Sequence, residues 1–427
     1  MSVTVPGDKS LTQRALILAA LAHGESRLSG LLHGGDAEST AGALRALGAQ
    51  IAPLPADGSE VVVRGVGSGG LREPVGDLDL GNSGTGTRLL LGVLAGSPLR
   101  ATLTGDASLR SRPMARVTAP LSRMGARFEH GGPAGRLPLT VVGERPLQPL
   151  VWASPVASAQ VKSSVLLAGL AGRASVAVTE PRQSRDHTER LLTSLGIAVG
   201  TGPAEGGWRV SMTDPPARIE ALDFAVPGDV SSAAFLLALG ALGGAGDSLT
   251  IQRVGLNPTR TAFLDVLRRM GVRVVAEVDP RAWGEEPVGT VTAGPADLRA
   301  VSVTADEVPR LIDELPLVAA LGARASGVTS IRGAEELRAK ESDRIVAMVE
   351  NLRAVGVRAE ERPDGLEVEG TDAPLVGRIR TRGDHRIAMA FGVLGVVGSN
   401  RIEVDDRGAA AVSFPGFWDL LGQLARR

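Results

Sequence analysis

One arrangement of apolar and polar positions recurs along the chain at a period of about 75 residues, the signature of a repeated supersecondary unit. Each copy opens on a small polar residue followed by an apolar run at helical spacing. The openers are Ser10, Ser83, Ser158, Ser231, Asp313 and Asp384, all of residue types that cap helix N-termini. In five copies a second helix is predicted to stop at a glycine (Gly48, Gly125, Gly196, Gly271 and Gly356), where a left-handed cap is favoured. β-like segments follow, such as Val272-Arg273-Val274-Val275, so one unit reads strand, helix, strand, helix, strands. The sixth copy stops early, near Phe417-Trp418.

These units predict an α/β chain of the α+β type with six βαβαββ-like repeats, three in each of two domains. The seam is expected at Val226-Pro227-Gly228-Asp229, giving a first domain of 9–227 and a second of 1–8 plus 228–427. The opening strand, Val3-Thr4-Val5, is expected to pair with the second half. Parallel first helices would turn their N–H groups and dipoles toward one cleft, an anion-binding surface lined by the openers.

Length agrees with this division, because 427 residues exceed one ordinary core. A hydrophobic fraction of 43% with 55 Gly and 26 Pro fits many short elements and excludes a coiled coil or a disordered chain. The net charge of −1 argues against a nucleic-acid partner. Without cysteine there is neither a disulfide framework nor thiolate catalysis, which suits a cytoplasmic protein. The start has no charged region leading into an apolar one, and apolar runs such as that beginning at Ser163 are too short to span a bilayer. Neither a signal peptide nor a membrane partner is expected.

Only three lysines, Lys9, Lys162 and Lys340, stand among the 46 basic residues, leaving 43 arginines. A lysine kept in such a background marks a site suited to a compact, deprotonatable ammonium, and Lys9 and Lys340 both lie in dense polar runs. Lys162 precedes an apolar run and reads as structural. Pro6-Gly7-Asp8-Lys9-Ser10 with Arg14 suits phosphate or carboxylate on one side of a helix start; a capped helix with a solvated arginine is the plain alternative. Gly81-Asn82-Ser83-Gly84-Thr85 permits close approach of a phosphate to backbone N–H groups, without the lysine of a Walker loop. Asp313, between apolar residues at a strand-to-helix turn, suits general-base work or simply caps the helix before Pro316. Lys340 and Arg344, four apart, are predicted to face one way on a helix, which favours an anion over helix stability.

Taken together, Gly7-Asp8-Lys9-Ser10, Gly81-Asn82-Ser83-Gly84-Thr85, the Arg112-Pro113-Met114 block, Ser158-Ala159-Gln160-Val161-Lys162, Arg185-Asp186-His187-Thr188-Glu189, Lys340-Glu341-Ser342-Asp343-Arg344 and Asp384-His385-Arg386 resemble the enolpyruvyl transferase family in order and over essentially the whole chain. The resemblance implies an inside-out α/β barrel in two domains that hold substrates in the cleft between them. It also implies transfer of the enolpyruvyl group of phosphoenolpyruvate to the 5-hydroxyl of shikimate 3-phosphate, through a tetrahedral intermediate and with release of phosphate, in the shikimate pathway. No metal or organic cofactor is implied, and the protein is expected to be a cytoplasmic monomer. By position, the resemblance makes Ser10, Arg14, Ser158, Ala159, Gln160 and Ser184 ligands of shikimate 3-phosphate. Arg112, Arg344, Arg386 and the backbone at Gly84 become ligands of phosphoenolpyruvate, and Lys9 bridges the two. Asp313 is then the base for the attacking hydroxyl and holds a ring hydroxyl with Lys340. Glu341 carries the methylene proton, with Lys9 as competitor.

Two positions depart from the family pattern. Val412 stands where a lysine is usual, with Arg407 as a possible replacement, and Glu336 lies near the place of an asparagine. The alternatives are the sister enzyme acting on a UDP-amino sugar, against which Ser10 and Arg14 speak, and a silent anion-binding protein of the same fold.

Overall fold

The computed structural model describes residues 1–280 and 285–425. It divides into two compact units. One is Gly7–Val226, to which a short segment ending at Glu286 adds; the other combines Met1–Pro6 with the chain from Pro227 onward. Among the described residues no helix is long and apolar enough to cross a membrane.

In the Gly7–Val226 unit, helices Lys9–Leu21, Gly84–Ala95 and Ala159–Gly172 form the centre. Leu11 through Leu21 and Val161 through Gly172 are buried on every side, which explains why these runs are apolar all round. Three four-stranded sheets pack outside them, so the helices are the core and the sheets the shell. The sheets share one plan, shown by Leu150–Ala153, Val176–Glu180, Gly207–Met212 and Gly200–Ala204: a parallel pair, then two antiparallel neighbours. Burying each large apolar side chain of such helices contributes about 1.5–3 kcal/mol, which offsets the order imposed on them.

The second unit repeats the plan around helices Val230–Ala241, Leu315–Gly322 and His385–Gly395. Its first sheet is completed by the N-terminal strand, Ser2–Val3, which runs parallel to Leu249–Gly255 with Ser2 opposite Thr250. The shortened sixth repeat keeps only the parallel pair Val376–Ile379 and Arg401–Val404. All five glycines expected to end second helices have positive φ, between 74° and 112°.

The helix caps differ from the sequence expectation at half the openers. Ser83, Ser158 and Asp384 do cap their helices. For the first and fourth repeats the cap lies two residues earlier, at Asp8, which accepts from Leu11 N at 2.8 Å, and at Asp229, which accepts from Ser231 N at 2.8 Å. A carboxylate accepts more strongly than a hydroxyl, so Asp8 starts the helix and Ser10 moves into its first turn. At the fifth repeat Glu314 occupies the cap position with no side-chain cap bond, which leaves the Asp313 carboxylate to other partners.

Candidate active site

Within the Gly7–Val226 unit the three core helices bring their N-terminal ends together. Gln13 Nε2 donates to Ser83 Oγ at 2.5 Å, and Gln160 Nε2 donates to Thr85 Oγ1 at 3.0 Å. Each helix start leaves backbone N–H groups unsatisfied within its helix, and the adjacent dipoles reinforce a preference for anions. Lys9 Nζ lies 2.9 Å from Asp36 Oδ2, and both side chains are largely buried. Gly84 opens its helix against two guanidiniums, since a Cβ there would lie 3.0 Å from both Arg112 Nη1 and Arg88 Nη1. Arg112 donates to Asn82 Oδ1 and to Ser108 Oγ, while its Nε is buried with no hydrogen-bond partner among the described residues. Such a donor suits a carboxylate or phosphate oxygen.

Arg14 is drawn inward. It is only 3% exposed and donates from Nε to Thr188 Oγ1 at 2.8 Å, from Nη2 to Ser163 Oγ at 3.1 Å and from Nη1 to Ser10 O at 3.0 Å. Burial pulls its guanidinium down to about 10, opposed by Glu189 and Asp8, so it remains charged at neutral pH. Ser158 receives Val161 N on its hydroxyl and donates its own backbone N–H to Glu180 Oε2 at 3.2 Å. Ser184 donates its hydroxyl to the Glu180 carboxylate at 2.7 Å. Ala159 and Gln160 form the first turn behind Ser158.

In the other unit Arg344 is the centre of a carboxylate cluster. Its guanidinium, 1% exposed, donates from Nε to Asp384 Oδ2 at 2.8 Å and from Nη2 to Glu341 Oε2 at 2.6 Å. Its Nη1 lies 3.5 Å from Asp313 Oδ1. Burial by itself lowers the Arg344 pKa, but Asp384, Glu341 and Asp313 outweigh it and hold the group above its ordinary value. Burial likewise pushes the Asp384 carboxyl up, and Arg344 with His385 reverses this, so Asp384 sits below the usual carboxylate range. Arg386 Nη1 donates to the Asp313 carbonyl at 2.8 Å and its Nε is 3.9 Å from Asp313 Oδ1. Half-buried Asp313 thus faces two guanidiniums, an arrangement suited to a base whose ionised form is stabilised.

The expected helix carrying both Lys340 and Arg344 is absent. Lys340 ends the short 3-10 helix Glu335–Ala339 in an extended conformation, and the next helix begins only at Arg344, capped by Asp343. Asp343 accepts from Val346 N, which fixes the helix start and separates the two cations; Lys340 Nζ instead lies 3.5 Å from Glu336 Oε1. Val412 is half-buried at the end of the 3-10 helix Arg407–Val412. Arg407 places its guanidinium 4.2 Å over the ring of Trp418, and its backbone carbonyl accepts from Trp418 Nε1 at 2.7 Å.

Sequence reasoning gave no role to Asp36, Arg88 or Glu180, and it named Ser231 as an opener without its partners Glu314 and Arg260, to both of which Ser231 Oγ is bonded. The Ser231 position had a signal: Gly228-Asp229-Val230-Ser231 repeats Gly7-Asp8-Lys9-Ser10 with valine for lysine.

A curated 3-phosphoshikimate 1-carboxyvinyltransferase from Gloeobacter violaceus is 48% identical over 430 residues, covering 100% of this chain and 96% of its own. A protein of the same name from Alkalilimnicola ehrlichii is also 48% identical, covering 98% of this chain and 92% of its own. Among solved structures, an EPSP synthase from Acinetobacter baumannii superposes with a TM-score of 0.86 at 38% identity, over 99% of this chain and 95% of that one. The enolpyruvyl transferase NikO of Streptomyces tendae superposes with a TM-score of 0.76 at 20% identity, a likeness of fold alone. The family model described as EPSP synthase (3-phosphoshikimate 1-carboxyvinyltransferase) matches residues 1–421, and the chain belongs to this family.

Proposed function

We propose that this protein transfers the enolpyruvyl group of phosphoenolpyruvate to the 5-hydroxyl of shikimate 3-phosphate, with release of phosphate. The observation that carries the reading is Arg344, which holds the carboxylates of Asp313 and Glu341 on a single guanidinium. The reaction needs a base for a hydroxyl and a proton carrier for a methylene carbon, set beside a cation that binds the acid substrate. Asp313 takes the proton of the 5-hydroxyl as its oxygen bonds to C2 of phosphoenolpyruvate, and Glu341 protonates C3. In the second step Glu341 takes a proton back from C3 as the C2–O bond to phosphate breaks, giving the enol ether, and the proton held by Asp313 leaves with the phosphate.

In this reading Lys9 contacts both substrates. Ser10, Arg14, Ser158, Ala159, Gln160, Ser184, Asp313 and Lys340 hold shikimate 3-phosphate, while Gly84, Arg112, Arg344 and Arg386 hold phosphoenolpyruvate. Arg88 joins the second set through its place beside Gly84. Arg344 needs little rearrangement to do this, because exchanging one carboxylate partner for the substrate's keeps its charge compensated. We extend the reading to a cytoplasmic monomer.

The test is phosphate release from phosphoenolpyruvate with shikimate 3-phosphate or a UDP-amino sugar as acceptor. Turnover is expected with shikimate 3-phosphate alone; turnover with the UDP-sugar only, or with neither, would refute the reading. Val412→Lys is expected to lower the KM for phosphoenolpyruvate severalfold if this position faces the phosphate, by analogy with the contribution of other phosphate-binding cations. An unchanged KM would place Val412 away from it.

A further inference from the structure

A buried ion cluster beneath Ser158 and Ser184 has no part in the chemistry just described. Lys162, fully buried, lies with Nζ 2.8 Å from Glu180 Oε1 and 2.7 Å from Glu189 Oε1. Glu180, 1% exposed, collects donors from three directions: Lys162 Nζ, the backbone N–H of Ser158 at 3.2 Å, and Ser184 through both its N–H at 2.8 Å and its hydroxyl at 2.7 Å. These donors come from one helix start and one loop that are 22 or more residues from each other in sequence, tied by a residue at the end of strand Val176–Glu180. A buried carboxylate stays ionised only when cations and hydrogen bonds compensate it fully, so moving either serine would cost this residue its compensation. One ammonium cannot neutralise two carboxylates; burial pushes Glu189 up, with Lys162 opposing, while Lys162 itself is held above its ordinary value because Glu189 and Glu180 outweigh its burial.

We propose that Glu180, anchored by Lys162, is a positioning residue that sets the Ser158 and Ser184 turns for shikimate 3-phosphate. Its grip on the Ser184 proton also decides what that serine offers a ligand: an acceptor oxygen instead of a hydrogen. Loss of the Glu180 charge frees the hydroxyl to rotate and loosens both turns together, so the effect falls on one substrate and not the other. The inference rests on the proposed substrate.

Calorimetric titration of the full-length protein with shikimate 3-phosphate comes first. If the unsubstituted protein does not bind it, the proposed function fails and this inference with it. Given binding, Glu180→Gln is expected to raise the KM for shikimate 3-phosphate about tenfold, the loss of one charge-assisted hydrogen bond, with the KM for phosphoenolpyruvate within twofold of the original. In the double variant with Ser184→Ala, the increase should be smaller than the product of the single effects, because the two residues act through one contact. An unchanged KM for shikimate 3-phosphate, an equal rise for both substrates, or fully multiplicative effects would overturn the inference while leaving the proposed function standing. Should Glu180→Gln not fold, Glu180→Asp, which keeps the charge but shortens its reach to the Ser158 and Ser184 donors, decides alone: a KM for shikimate 3-phosphate raised threefold or more, with that for phosphoenolpyruvate within twofold, supports the proposal, and a smaller change or an equal rise for both substrates overturns it.

Discussion

Asp313→Ala is expected to lower kcat by about a hundredfold or more, the usual scale for removing a general base, while leaving shikimate 3-phosphate binding measurable. The helix that follows Asp313 does not use its carboxylate as a cap: Glu314 occupies the cap position, and Pro316 contributes no N–H to be satisfied. The carboxylate lies 3.5 Å from Arg344 Nη1 and 3.9 Å from Arg386 Nε, close enough for both cations to stabilise its ionised form. Measured kcat and a titration of substrate binding separate chemistry from affinity. A variant with near-normal kcat would remove Asp313 from the reaction and return the role to another group.

A second substitution reaches further, because Arg344→Met removes the cation on which three carboxylates depend. Asp384 is 0% exposed and would remain in the interior without its partner, a loss of about 3–5 kcal/mol on the scale of a broken buried pair. Activity should fall by about a thousandfold, as when a preorganised group at a developing charge is lost. The pH dependence has a definite sign. In the original protein Asp384 is held below its ordinary value, so it contributes stability that is fully present above the unfolded carboxylate range and is lost as pH falls through its depressed folded pKa. In Arg344→Met the same buried carboxyl is pushed up, so its penalty is absent at low pH and grows as pH rises from the unfolded value to the folded one. The difference in Tm between the two proteins should therefore narrow on acidification from pH 7 to pH 4. A constant or widening gap would show that Arg344 and Asp384 are not the pair that governs it. Arg344→Lys should regain part of the stability and little of the activity, since an ammonium cannot span Asp384 and Glu341 as a fork does.

The parts of the site that were legible in the sequence are those set by local chemistry. The openers lie at helix starts because small polar residues and apolar periodicity act over a few residues, and the five glycines adopt positive φ because other residues pay a steric cost there. What failed were inferences that needed a choice between neighbours. Asp8 displaced Ser10 as a cap, and Asp343 divided Lys340 from Arg344, although each alternative looked acceptable as sequence. The apolar run behind Lys162 marks it as structural, in agreement with its full burial, but carries no hint of Glu180 and Glu189 as its partners.

The sequence by itself determined the repeat, the place of the first helix in each unit and the family, because these depend on periodicity, turn residues and motifs that are local or recur in order. Only the tertiary structure decided the pairings: Lys9 with Asp36, Arg14 with Thr188 across 174 positions, and Arg344 with Asp384 across 40. Such pairs are chosen where packing removes water, since a charge in the interior must take whichever partner the fold brings within reach. No spacing along the chain encodes that partner.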